Sequence, residues 1–448
     1  MSAGAGNGKG RKNPSNPPKK SSVSSSLPGS GRTPVPQPEE AVGADAAANA
    51  PTAAAHVAAS AAPSPPVQTA TAGKVLLTGS SGHLGANLVR RLLADGHQVR
   101  VLLRAGSDNS GVDGLDVERV YGDLRDQAAV DAAVRGVQRV YHAAAQVSTL
   151  YGDDKLKRSI YDSNVGGTRH ILESCLRHSV ERVVVTGSFS AVGYDHHDTS
   201  RPSDETMRFY PFERMMPYEC SKAFVESECL IAATHGLDVR IATSCAILGP
   251  HDYKPSRMGR ALCDFANGKL RAYIDGGFEF VAARDIVEGH ILAMEKGKTA
   301  EKYVFATQFM TLPEMMDMWS EITGQPRPTL KLPAPLMGAI AEVLSPLLTK
   351  FAPNFPQRLT PGAVRILQLR RHADLTKSKT ELGYQPSSVR AACSEAYEFF
   401  ARRGAILAPN PQRIVDLGAG RHGAASGSSE ATSHSGSVPT GGTCPVAH

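Results

Sequence analysis

The sequence predicts an α/β fold: a doubly wound parallel sheet with a smaller, mostly helical C-terminal part. Three observations predict it. A strand, glycine turn, helix, strand unit opens at Gly73. Strand-like and helix-like stretches then alternate without an internal repeat. The apolar residues that a core needs are confined to residues 73–408.

The opening unit reads KVLLTGSSGHLGANLVRRLLADGHQVRVLLR. Val75 to Thr78 is a short buried strand, and a helix follows with apolar residues at Leu84, Leu88, Leu92 and Leu93. Gly96 stops it before a second strand. The turn between carries Gly79, Gly82 and Gly85. Glycines there permit a tight turn, close backbone approach to a pyrophosphate, and close helix-on-strand packing, while the helix N-terminus supplies amide donors and a positive dipole end. VERVYGDL, QRVYHAAA, ERVVVTGSF and LDVRIATSCAIL are the next strands. Helical stretches separate them, at Leu156 to His178 and around Tyr218.

The 448 residues carry a formal charge of +6. Residues 1–72 and 409–448 are Pro, Ala, Ser and Gly with few large apolar side chains. They cannot bury enough surface to offset ordering entropy, so both are expected to be disordered. The basic start (Lys9, Arg11, Lys12, Lys19, Lys20) forms no patterned face, so a solvated tail is expected rather than a nucleic-acid partner. No signal-type apolar run follows it. The seven cysteines (175, 220, 229, 245, 263, 393, 444) show no CxxC spacing, which suits reduced thiols in a cytoplasmic protein.

TGSSGHLG, GDL (Gly122 to Leu124), HAAA (His142 to Ala145), NVGGT (Asn164 to Thr168), VVVTGSFSAVG and YECSK occur in that order. Together with FVAARDIVEGH and LGYQP, they resemble the extended branch of the short-chain dehydrogenase/reductase superfamily from about Lys74 to Phe400. Within it, the chain looks closest to the group of 3β-hydroxysteroid dehydrogenases, dihydroflavonol reductases and hopanoid-associated epimerase-like proteins. The resemblance implies a Rossmann fold with a nucleotide-binding part mainly over 73–250. The substrate-binding part would be mainly 250–408 plus the 195–217 loop. It implies cofactor contacts from Gly79, Ser81, Gly82, His83, Leu84 and Gly85, from Asp123 (the acid at the adenine) and Leu124, and from Ala143 and Ala144.

Tyr218 and Lys222 stand one helical turn apart, 30 and 34 residues after Ser188. The resemblance makes Ser188, Tyr218 and Lys222 catalytic, with Tyr218 and Lys222 also at the cofactor. A phenol that gives a proton to a carbonyl oxygen, or takes one back, needs a lowered pKa for the reverse step, and a nearby ammonium favours the phenolate. Ser188 would donate a hydrogen bond to the substrate oxygen, with Ser190 the runner-up. Tyr151 and Lys155 share the spacing, but lie in a Gly/Asp-rich stretch that reads as a loop. Asn164 resembles a residue of mainly structural role. No metal site is expected, because His196 and His197 have no further ligands at useful spacing and read as a solvated loop.

The second strand ends in Arg104, with no acid until Asp108. An acid there suits the ribose of NAD and a cation the 2′-phosphate of NADP, so the cofactor is NADP or NAD, with NADP slightly favoured. SFSAV lacks the acid that dehydratases carry after the Ser. Met207, Phe209, Tyr210, Phe212, Met215 and Met216, and the apolar, Pro-broken segment 332–356, suit a pocket for a hydrophobic small molecule. Plain core packing is the other reading of 332–356. That segment is too short to span a bilayer but could lie at a membrane surface. The expected activity interconverts a ketone and a secondary alcohol on a steroid-like, terpenoid or prenylated aromatic compound. A cofactor-retaining sugar epimerase and a catalytically idle cofactor sensor are the alternatives, and a homodimer is compatible with each. Ser244 stands where relatives carry Pro.

Overall fold

The computed structural model describes residues 73–209, 215–351 and 360–409. The two expected disordered ends, apart from Pro409, lie outside these residues, as do Tyr210 and Phe212. Seven parallel strands form the central sheet: β1 (Val75–Thr78), β2 (Val99–Leu103), β3 (Glu118–Tyr121), β4 (Arg139–His142), β5 (Arg182–Ser188), β6 (Val239–Ser244) and the strand Lys302–Phe305. Their spatial order is β3-β2-β1-β4-β5-β6 followed by Lys302–Phe305.

Side chains alternate along a strand, so both faces of the sheet can be buried. Val75 and Leu77 pack into one layer with Leu88 and Leu92 of α1 (His83–Ala94) and with Ile286 and Ile291 of the helix Ala283–Lys296. Leu76 faces the other layer, against Val130, Ile171 and Val225 from the helices Gln127–Val134, Gly167–Arg177 and Pro217–Thr234. Val75 lies opposite both Val99 and Arg139. The chain therefore leaves β1 toward β2 and later returns to its other side as β4. The crevice at that reversal is where a doubly wound sheet binds its ligand.

The expected helix from Leu156 to His178 is interrupted. Asp154–Tyr161 and Gly167–Arg177 are joined through a π-turn at Asp162–Gly166. Such turns re-aim a side chain within a helix, and this one carries Asn164.

The C-terminal part has its own core around Trp319, Tyr397 and Phe400, from the helices Leu312–Thr323 and Val389–Arg402. Short strands accompany its helices. The strand Gly277–Ala282 pairs antiparallel with Gln308–Thr311 and parallel with Ala246–Leu248. Ala334–Phe351 is one continuous helix rather than a Pro-broken segment.

Candidate active site

The glycine turn fits a dinucleotide. Gly79 has φ +76°, and a Cβ there would stand 2.6 Å from the Ala144 nitrogen and 2.7 Å from the Ala143 carbonyl carbon. A Cβ on Gly85 would collide with the Gly79 carbonyl. α1 starts after Gly82, which provides no side-chain cap, so its first amides need another partner. Ala143 N donates to Thr78 O at 3.2 Å and Ala144 N to Thr78 Oγ1 at 3.3 Å, which holds β4's end against the turn. These residues could hold the pyrophosphate, as the sequence implies.

Other expected cofactor residues are placed differently. The His83 ring is buried beneath 250–252, with Nε2 3.1 Å from Pro250 O and Nδ1 4.0 Å from Asp252, so only its backbone can serve the crevice. Leu84 packs in the core. Leu124 lies against Gly167. Asp123 takes Arg125 in a fork, at 2.8 and 2.7 Å, and that guanidinium pulls its carboxyl down to about 2. Its first partner is therefore a neighbour in sequence. Arg104 is exposed at the end of β2. Sequence reasoning missed the cation beside it: Lys254 Nζ lies 3.1 Å from Ser81 Oγ and 3.4 Å from Ser107 Oγ. Lys254 is far along the chain, so no local pattern could announce it.

Tyr218 sits in the first turn of Pro217–Thr234, a helix begun by Pro217 and by Glu219, whose carboxylate accepts from Met216 N at 2.8 Å. Arg365 holds Glu219 in turn, at 3.2 Å. Ser188 closes β5, and its hydroxyl stands near enough to the Tyr218 side chain to favour the phenolate. Ser190, the runner-up, lies 2.8 Å from Ser188 between hydroxyl oxygens and lines the same cavity.

Lys222 is buried and donates to Thr186 O at 2.7 Å. Burial pushes its ammonium down to about 8. The expected lowering of Tyr218 by that charge is not what the structure shows. Burial dominates and pushes the phenol above its ordinary value, with the Ser188 hydroxyl acting the other way. The physical reason is that a phenolate enclosed by protein loses its hydration, while Lys222 is turned to a backbone carbonyl.

Asn164 is a clamp. Its Oδ1 accepts from Gln146 N at 2.7 Å, and its Nδ2 donates to Ser221 Oγ at 2.9 Å, tying the loop after β4 to the helix of Tyr218. The Tyr151 and Lys155 decoy separates, with Tyr151 in a loop and Lys155, contrary to the loop reading, exposed on the helix Asp154–Tyr161.

Ser188, Ser190 and Tyr218 open on a cavity of about 1340 Å³. Phe189, Met215, Met216, Phe278, Met316 and Trp319 are on its wall. Phe209 also reaches it, and His196 lines it as an exposed residue, its ring tilted against that of Tyr194 at 4.4 Å. Of the described part of 332–356, only Leu332 lines the cavity.

Charged residues on the wall escaped the sequence, Arg371 and Glu279 among them. Arg371 donates to Val192 O at 2.8 Å, Gly193 O at 2.9 Å, Ser203 Oγ at 3.1 Å and Phe189 O at 3.3 Å. Its guanidinium lies over both the Phe189 and Tyr194 rings. It thus fixes the loop that follows Ser188. Glu279 accepts from Ala373 N at 2.9 Å, and burial pushes its carboxyl up to about 7.

Comparison with known proteins agrees with this geometry. Residues 75–306 match the NAD dependent epimerase/dehydratase family. The chain is 43% identical over 331 residues to sterol demethylase protein B of Methylococcus capsulatus, covering 74% of this chain and 99% of that protein. It is 31% identical over 292 residues to 3beta-hydroxysteroid-dehydrogenase/decarboxylase isoform 1 of Arabidopsis thaliana, covering 60% and 63%. The crystal structure of gox2253 superimposes with a TM-score of 0.65 at 30% identity, over 75% of this chain and 99% of that one. The glycine cradle at the sheet reversal and the matches along three quarters of the chain have one explanation: the protein belongs to the NAD dependent epimerase/dehydratase family.

Proposed function

We propose that the protein is an NAD(P)(H)-dependent oxidoreductase that interconverts a secondary alcohol and a ketone on a hydrophobic, sterol-like small molecule. One observation carries the reading: Ser188 and Tyr218 face a large cavity walled by Phe, Met and Trp side chains. Such a wall excludes water and adapts to a rigid apolar body. The names of the Methylococcus and Arabidopsis relatives point to the same substrate class.

A nicotinamide bound in the crevice would supply or accept the hydride. Tyr218 then gives its proton to the carbonyl oxygen in reduction or takes one in oxidation. Its raised pKa in the cofactor-free protein suits the donor role. Ser188, supported by Ser190, donates a hydrogen bond to the same oxygen and holds it at the Tyr218 hydroxyl. Lys222 fixes the helix to β5 and would offer its cation to the ribose of a bound cofactor. Arg104 with Lys254 favours NADPH over NADH, because two cations and two serine hydroxyls suit a 2′-phosphate.

Arg257, Arg260 and Arg271 on the cavity wall favour the second reading, a sugar epimerase that holds a diphosphate. Lipophilic alcohols and ketones should be screened with both cofactors by the absorbance of the reduced nicotinamide. Deuteride from labelled cofactor should appear on the carbinol carbon of the released product. Inversion of a nucleotide sugar by retained cofactor, with no label leaving it, would refute the oxidoreductase.

A further inference from the structure

The helix Ala334–Phe351 carries apolar residues where a surface helix normally carries polar ones. Leu336, Ile340, Val343, Leu344 and Leu347 are all exposed, Val343 by 67%. At about 100° per residue they fall within one arc roughly 100° wide. The opposite side, with Ala334, Ala341 and Ser345, is buried. There the helix Pro361–Leu369 packs against it. The inner face already has its protein partner, so the outer stripe is surface available to another. A contiguous exposed apolar patch of this kind marks an interaction site.

Charge points to the partner. From residue 322 to 373 the sequence has seven Lys and Arg and a single acid, Glu342, although Arg327 pairs with Asp317, Arg365 pairs with Glu219 and Arg371 turns into the cavity wall. Lys331 and Arg370 both lean on Asp275, at 3.1 and 2.8 Å, which leaves one cation in excess near the start of the helix. An apolar helical stripe beside that excess cation is complementary to the surface of an anionic bilayer.

The cavity supplies an independent reason. Leu332, just before the helix, and Ile366, Leu367 and Leu369, on the helix packed against it, line the cavity. A sterol-like substrate partitions into lipid, so a cavity wall continuous with a lipid-facing helix shortens its route. Among the described residues no helix is long and apolar enough to cross a membrane, which leaves contact in the plane of the interface.

We infer that Ala334–Phe351 is an in-plane membrane anchor that docks the substrate-binding part on anionic lipid. The choice of a lipid surface rests in part on the lipophilic substrate proposed above. The test uses no substrate and no cofactor, so its outcome is separate from the catalytic reading. The full chain is sedimented with vesicles of phosphatidylcholine alone and of phosphatidylcholine mixed with phosphatidylglycerol. The mixed vesicles should bind it better, and added salt should weaken that binding. The double variant Val343→Asp, Leu347→Asp should bind at least about tenfold more weakly, with an unchanged unfolding temperature. Wild-type protein that ignores both vesicles, or a variant that binds as well as wild type, overturns the anchor. A wild-type dimer in the ultracentrifuge that the double variant converts to monomer overturns it too, and assigns the stripe to a second copy.

Discussion

Lys222 Nζ donates to Thr186 O across 2.7 Å, so the helix that carries Tyr218 is latched to the strand that ends in Ser188. Ser188 and Tyr218, the residues proposed to act on one substrate oxygen, are thereby tied through a side-chain-to-backbone contact between neighbouring elements. Geometry of this kind is what a reaction at a single substrate oxygen requires, since small displacements of a proton donor are costly in rate.

Tyr218→Phe removes the proton donor while keeping the ring that packs at the helix start. Turnover should fall by about 10²–10⁴-fold, the usual contribution of a positioned acid or base, with cofactor affinity nearly intact by titration. Tyr151→Phe should retain wild-type rates. Normal turnover in Tyr218→Phe would refute its assignment.

Arg371→Leu should loosen the 189–193 loop. The carbonyls of Val192 and Gly193 would lose their donor, at about 1–3 kcal/mol for each buried group left unpaired, so the unfolding temperature should drop. Because this loop follows Ser188, kcat should fall more than KM rises, and Arg371→Lys should recover part of it. A variant that loses stability with unchanged kcat would restrict Arg371 to holding the fold.

For the cofactor, Arg104→Ala and Lys254→Ala should each weaken NADPH binding by roughly 1.5–3 kcal/mol, the range for hydrogen bonds to charged groups, with NADH little affected. Equal losses for the two cofactors, or none, would count against a 2′-phosphate at this corner.

Glu279 gives a pH dependence whose sign follows from its burial. Its carboxyl is raised from 4.5 to about 7 in the folded chain, so the folded state holds a proton that the unfolded state has released between those values. Stability should therefore fall as pH rises from 4.5 to 7, by on the order of 1–3 kcal/mol, and then level off for this group. Denaturant titrations of wild type and Glu279→Gln should diverge across that window. Parallel curves would show that Glu279 ionises freely in the folded state.

The sequence determined by itself whatever rests on near neighbours. An apolar run before a Gly-rich turn, followed by residues spaced for a helix, specifies β1, the turn and α1, because strand and helix periods and the freedom of Gly79 are local properties. The Tyr218 and Lys222 spacing was legible for the same reason, and order along the chain distinguished it from Tyr151 and Lys155. The tertiary structure decided what depends on residues far apart in sequence. Lys254 reaches Ser81, and Arg371 and Glu279 arrive at the cavity from strands and loops more than 60 residues beyond Tyr218. His83 faces Pro250 because that segment folds over the turn. The pKa of Tyr218 follows burial rather than its neighbour four residues on. Segment 332–356 shows the division most plainly: its composition announced apolar surface, but only packing against Pro361–Leu369 decided which side of the helix would be covered and which would face outward. Periodicity fixes the angles between side chains on a helix, whereas the direction in which a face points depends on what the rest of the chain places against it.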